Sequence, residues 1–105
     1  MSTVFKALSD PTRRKVLQLL QDRGPIGAGE LAEMFDVSKP TMSAHFAVLV
    51  SAGLIDAEKQ GRNVTYRLKL SVLEEALLAF ARTFGLQVTR PDDGHPEARS
   101  TQEKP

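Results

Sequence analysis

At Gly53 the spacing of apolar residues changes from helical to alternating. A chain of 105 residues built that way has room for one helical layer with a small β unit attached, and little else. Before the switch, Val4, Phe5 and Leu8 are followed by Ser9-Asp10-Pro11-Thr12 and then by Val16, Leu17, Leu19 and Leu20. This is helical spacing interrupted by a cap and a proline suited to a first turn, so the pattern predicts a short first helix and a second one. Arg23-Gly24-Pro25 stops the second helix, and Ala28 to Phe35 carries Leu31, Met34 and Phe35 at the spacing of a short third. After Asp36-Val37, Ser38 is a good N-cap, Pro40 is tolerated in the first turn, and Met42, Phe46 and Leu49 set the buried stripe of a fourth helix ending at Gly53.

Beyond Gly53, Leu54 to Glu58 and Val64 to Leu70 read as strands flanking the connection Lys59-Gln60-Gly61-Arg62-Asn63. In the second strand Val64, Tyr66, Leu68 and Leu70 are expected to face inward, and Thr65, Arg67 and Lys69 outward. Ser71 is the expected cap of a fifth helix carrying Leu73, Leu77, Phe80 and Phe84. From Val88 the residues are almost all polar, so 1–87 is expected to be the folded domain and 88–105 a disordered tail. The fold class that follows is mainly α with a small β-hairpin, in the order α-α-α-α-β-β-α: a winged helix-turn-helix.

The function is read from what is left outside the core. Stepping 100° per residue from Met42 turns Pro40, Ser43, Ala44, Ala47 and Ser51 away from the buried stripe. They are small and uncharged, and no Asp or Glu occurs from Val37 through Ile55, so this face can approach phosphates without repulsion. The hairpin adds Lys59, Arg62, Arg67 and Lys69 with no acidic residue between positions 59 and 70. The candidate DNA-binding set is therefore Ser38, Lys39, Pro40, Thr41, Ser43, Ala44 and His45 on the helix, with Lys59, Gln60, Gly61, Arg62 and Asn63 at the wing. For His45 a hydrogen-bonded structural place weighs above a phosphate contact. The wide stripe of Leu73, Leu77, Phe80 and Phe84, together with Val4, Phe5 and Leu8, exceeds what one small core needs and is the candidate dimer interface.

Other chemistries find little footing. There is no cysteine, which removes disulfides, thiolate metal ligands and thiol redox sensing, and of the two histidines His95 falls in the tail. No metal or cofactor is expected. Gly27-Ala28-Gly29-Glu30-Leu31-Ala32 fits a dinucleotide fingerprint in form but lacks a long buried strand before it, and Glu30 opposes a pyrophosphate. Glu74 and Glu75 point about 100° apart on a helix and cannot face each other as a catalytic pair. An enzyme is not expected. With a net charge of +1, no apolar signal core and no stretch suited to cross a bilayer, the expected location is the cytoplasm.

The run Phe5-Lys6-Ala7-Leu8-Ser9-Asp10-Pro11-Thr12-Arg13-Arg14, the run Val37-Ser38-Lys39-Pro40-Thr41-Met42-Ser43-Ala44-His45-Phe46, and Ala52-Gly53-Leu54-Ile55 together resemble the ArsR family of bacterial winged-helix repressors. The resemblance covers residues 3 to about 86 and implies a homodimer joined through the first and fifth helices that represses transcription from a double-stranded DNA operator. On it, Lys39, Pro40, Ser43 and Ala44 match recognition-helix positions that meet bases, and Gln60 to Asn63 match the wing tip. Metal-sensing members place cysteines where this chain has Leu31-Ala32-Glu33-Met34-Phe35, or Asp and His ligands along a last helix that here has no His. The resemblance therefore points to the cysteine-free, autorepressor-like branch, with a protein as candidate inducer. The alternative from a different class is a winged-helix protein-interaction module, or anti-repressor partner, that has lost DNA binding.

Overall fold

The computed structural model describes residues 2–87; the expected disorder of 88–105 lies outside them. Helix α1 (Ser2–Leu8) leads into α2 (Pro11–Arg23). Asp10, in extended backbone, accepts the Arg13 N–H at 3.1 Å, and Pro11 takes the first helical position, where its missing N–H is not needed. Strand β1 (Ile26–Gly27) runs directly into α3 (Ala28–Glu33). Helix α3 is shorter than the sequence pattern predicts, because Met34 and Phe35 donate to Leu31 and Ala32, three residues back, and tighten the chain into the turn before the next cap.

Helix α4 (Lys39–Ser51) starts from Ser38 and stops at Gly53. At φ 78° Gly53 donates to Val50 and Leu54 donates to Leu49, the paired reverse bonds of a Schellman ending. Strands β2 (Ile55–Gln60) and β3 (Asn63–Leu68) then form the wing, and α5 (Leu70–Thr83) closes the described fold.

The hairpin is tighter than expected. Gln60 pairs with Asn63, so the loop is Gly61-Arg62 alone, with Gly61 at φ 62° in the first central position as a II′-type turn requires. Lys59, Gln60 and Asn63 are strand residues that look like loop because the wing tip has no core to cover, and alternation there carries no signal. The sheet also has a third member: β1 pairs antiparallel with β3, giving the order β1-β3-β2. Leu70 is not the last inward strand residue. Lys69 donates to the Leu54 carbonyl, and the chain then turns into α5, which leaves Leu70 exposed and places Ser71 inside the first turn, with Lys69 at the cap position.

Every large apolar residue assigned to the α4 stripe is buried: Met42, Phe46 and Leu49 lie beneath the helix beside Leu31, Leu54 and Ile55. Full burial of such side chains contributes about 1.5–3 kcal/mol each. Val4 belongs to this same core at 5% exposure, whereas Phe5, Leu8 and Leu73 pack on its edge. Leu77, Phe80 and Phe84 are 43%, 44% and 62% exposed, so α5 turns an apolar face outward.

Candidate nucleic-acid interface

Helix α4 owes its position to its two faces. The core stripe is drawn under the sheet and α3, and this holds Lys39, Pro40, Thr41, Ser43, Ala44, Ala47 and Ser51 on an open surface, all of them exposed. The cap shapes the leading end of that surface. Ser38 Oγ accepts the Thr41 N–H at 3.3 Å and donates its own proton to Thr41 Oγ1 at 2.9 Å. Ser38 has thus spent its donor within the cap, and Thr41 keeps a hydroxyl proton to offer outward. Lys39 stands beside it, exposed, with no carboxylate in the first turn.

His45 is set apart from this open face. Its side chain is only 16% exposed, its Nδ1 lies 3.2 Å from Arg13 Nη1, and its Nε2 lies 3.9 Å from Asp10 Oδ2. The imidazole is held in the corner of α2 and α4.

At the wing, Lys59, Gln60, Gly61, Arg62 and Asn63 are all exposed. The positive charge read from the sequence there is partly neutralised by the fold: Arg67 pairs with Glu58 at 3.0 Å and Lys69 with Asp56 at 3.8 Å, both across the two-stranded wing. Acidic residues that precede the basic run in sequence are brought beside it by the antiparallel register. Among the described residues, the wing cations without a carboxylate partner are Lys59 and Arg62. Arg62 also borders a polar recess shared with Glu30 and Thr65, and the dinucleotide-like glycines open that recess from a strand of two residues. Gly27 ends that strand, and Gly29 lies inside the helix that follows, which has only six residues.

Comparison with known proteins places this arrangement. Residues 8–58 match a helix-turn-helix domain family. The chain is 44% identical over 77 residues to the transcriptional repressor SdpR of Bacillus subtilis, covering 73% of this chain and 84% of that protein.

Another relative is the arsenical resistance operon repressor of Staphylococcus xylosus, 39% identical over 74 residues and matched over 70% of each chain. The crystal structure of an ArsR family transcriptional regulator superposes with a TM-score of 0.69 at 38% identity, over 84% of this chain and 92% of the other. The chain belongs to the ArsR family. An ArsR-like transcriptional regulator from Rhodococcus sp. RHA1 gives 0.72 at 32% identity, over 80% and 76%. As an ArsR-family protein the chain is a DNA-binding transcription regulator of winged helix-turn-helix fold and not an enzyme. Among the described residues no three His, Asp or Glu side chains gather as a metal site, and no helix is long and apolar enough to cross a membrane. The residue that the sequence reading did not single out is Arg13, whose partner lies 32 positions along the chain.

Proposed function

We propose that the protein is a homodimeric repressor that binds an inverted-repeat operator, its own promoter being one candidate, with α4 of each copy in the major groove and the wing against the backbone. The observation that carries this reading is the open face of α4: a run of small or basic exposed side chains, with no carboxylate from position 37 to 55. Lys39, Thr41, Ser43 and Ala44 face base edges and nearby phosphates, while Lys59 and Arg62 supply sequence-independent attraction. The similarity to proteins named repressors supports the direction of regulation. Two copies related by a dyad present their helices about one turn of DNA apart, roughly 34 Å, which is why the operator is expected to repeat in inverted order. With no cysteine in the chain, the inducer on this reading is not a metal held by thiolates. A protein inducer and residence in the cytoplasm fit the same reading.

The test uses a duplex selected by the unmodified protein from a randomised pool, compared with a scrambled duplex, across a salt series. If a dimer neutralises about six phosphates, affinity falls on the order of 10³-fold between 50 and 200 mM salt. Ala44→Glu is expected to abolish selective binding. Arg62→Ala is expected to weaken both duplexes by similar factors and to flatten the salt dependence by about two charges per dimer. An Ala44→Glu protein that binds its selected duplex normally removes α4 from the groove.

A further inference from the structure

Arg13 sits where α1, α2 and α4 meet, and each nitrogen of its guanidinium has a partner. Nε donates to the Ala7 carbonyl at 2.7 Å, Nη2 to the Lys6 carbonyl at 3.1 Å, and Nη1 faces His45 Nδ1 at 3.2 Å. The two carbonyls belong to the last turn of α1, and that of Lys6 also accepts the Ser9 N–H and hydroxyl. A guanidinium carries donors and no acceptor, so the imidazole must accept. His45 is thereby fixed as the tautomer with its proton on Nε2, the nitrogen that faces Asp10. Asp10 is held in turn by the Arg13 backbone N–H.

Among the described residues this is the one side-chain hydrogen bond between α4 and another element. The rest of the attachment of α4 is chiefly apolar: Met42, Phe46 and Leu49 are buried beneath it, Val48 packs at their edge, and the Phe46 ring lies 4.8 Å from that of Tyr66. Rolling the helix would expose that stripe, so the stripe sets the roll coarsely, while non-directional apolar contact leaves small rotations to be fixed by something else. His45 lies to one side of the stripe, where a directional contact opposes that roll. The far end of the strut is α1, and α1 reaches α5 through the ring of Phe5, 5.4 Å from that of Phe80.

We infer that Arg13 and His45 are positioning residues that fix the roll of α4 relative to α1 and so set the fidelity of base recognition. This rests on the repressor reading given above. Base-edge contacts need placement to about 0.5 Å, whereas attraction to phosphates tolerates much larger displacement. Loss of the strut therefore removes discrimination and leaves general affinity.

The experiment uses the whole chain, the duplex selected from a randomised pool by the unmodified protein, and a scrambled duplex. His45→Leu removes the acceptor, Arg13→Lys keeps the charge and loses the three-way geometry, and His45→Asn keeps an acceptor close to the Nδ1 position. His45→Leu and Arg13→Lys are expected to lower the ratio of selected to scrambled affinity by about tenfold or more, comparable to one base-discriminating contact, with scrambled-duplex affinity and salt slope unchanged. His45→Asn is expected to restore most of the ratio. Imidazole 15N shifts are expected to show the Nε2–H tautomer in the unmodified protein and a mixture in Arg13→Lys. An undiminished ratio in His45→Leu overturns the inference while leaving the repressor reading intact. Equal weakening on both duplexes with a flatter salt slope also overturns it, by making His45 a phosphate contact. If the unmodified protein selects no duplex, the repressor reading falls and this role falls with it.

Discussion

Asp10 shows how much one side chain is asked to do. It caps α2, faces His45, and its carboxyl is held below the usual carboxylate range, chiefly by the N–H of Arg13; partial burial opposes this, and His45 reinforces it. Because the folded chain binds that proton less readily than the unfolded one, the stabilisation is complete above the ordinary Asp range near 4 and is lost as pH falls through the lower folded value. Asn caps a helix about as well as Asp and does not titrate, so Asp10→Asn is expected to cost less than about 1 kcal/mol at neutral pH. Below about pH 4 its melting temperature is expected to fall less steeply than that of the unmodified protein. Thermal melts across pH 2 to 7 check this, and parallel curves remove Asp10 from the acid response. The same group shows why His45 is hard to read from sequence. Its place on the flank of the α4 stripe was visible, but its partner Arg13 belongs to another helix, and no local spacing reports a contact across 32 positions.

Elements were legible in proportion to the apolar face they bury. Helices α2 and α4 came through with their caps, since Asp10-Pro11 and Ser38 with Pro40 are local signals and the stripes beneath them are regular. Strand β1 did not, because two residues give alternation nothing to repeat. The wing tip and the start of α5 were displaced for a related reason: exposed polar strand ends resemble loop, and Ser71 resembles a cap although Lys69 holds the last bond to Leu54. The open face of α4 was readable because it is defined by the stripe opposite, whereas the neutralised half of the wing charge was not, since it depends on strand register. Where α4 meets α5 the fit is close enough to predict a cost. A Cβ on Gly53 would stand 3.3 Å from Val72 Cγ2 at a backbone φ of 78°, while one on Gly61, at φ 62°, meets nothing within 4 Å. Left-handed backbone alone costs a non-glycine residue about 1–2 kcal/mol. Both alanine variants are expected to lose that much, with Gly53→Ala losing more through the Val72 contact. Urea unfolding of the pair measures the difference, and equal losses mean that the valine moves aside.

At the scale of the whole molecule, assembly turns on the outer face of α5. Phe80 is flanked by Phe5 at 5.4 Å and Phe84 at 4.9 Å, ring centre to ring centre, yet remains 44% exposed, with Leu77 and Phe84 at 43% and 62% beside it. Fully burying such side chains is worth about 1.5–3 kcal/mol each, so covering their exposed parts with a second copy yields several kcal/mol on each side of a dyad. Val4, by contrast, is already covered within its own chain and has little left to give a partner. Phe80→Glu adds a carboxylate to each side of that dyad without opening the core, so the variant is expected to fold and to be monomeric at micromolar concentration by light scattering. Its single α4 engages one half-site at a time. Affinity for the selected duplex is then expected to drop about 10²-fold or more, as the second contact ceases to be intramolecular, and the salt slope is expected to fall to about half because half as many phosphates are neutralised. An unmodified protein that is monomeric at that concentration, or a Phe80→Glu variant that stays dimeric, takes the dyad off this face and sends the search for it elsewhere on the chain.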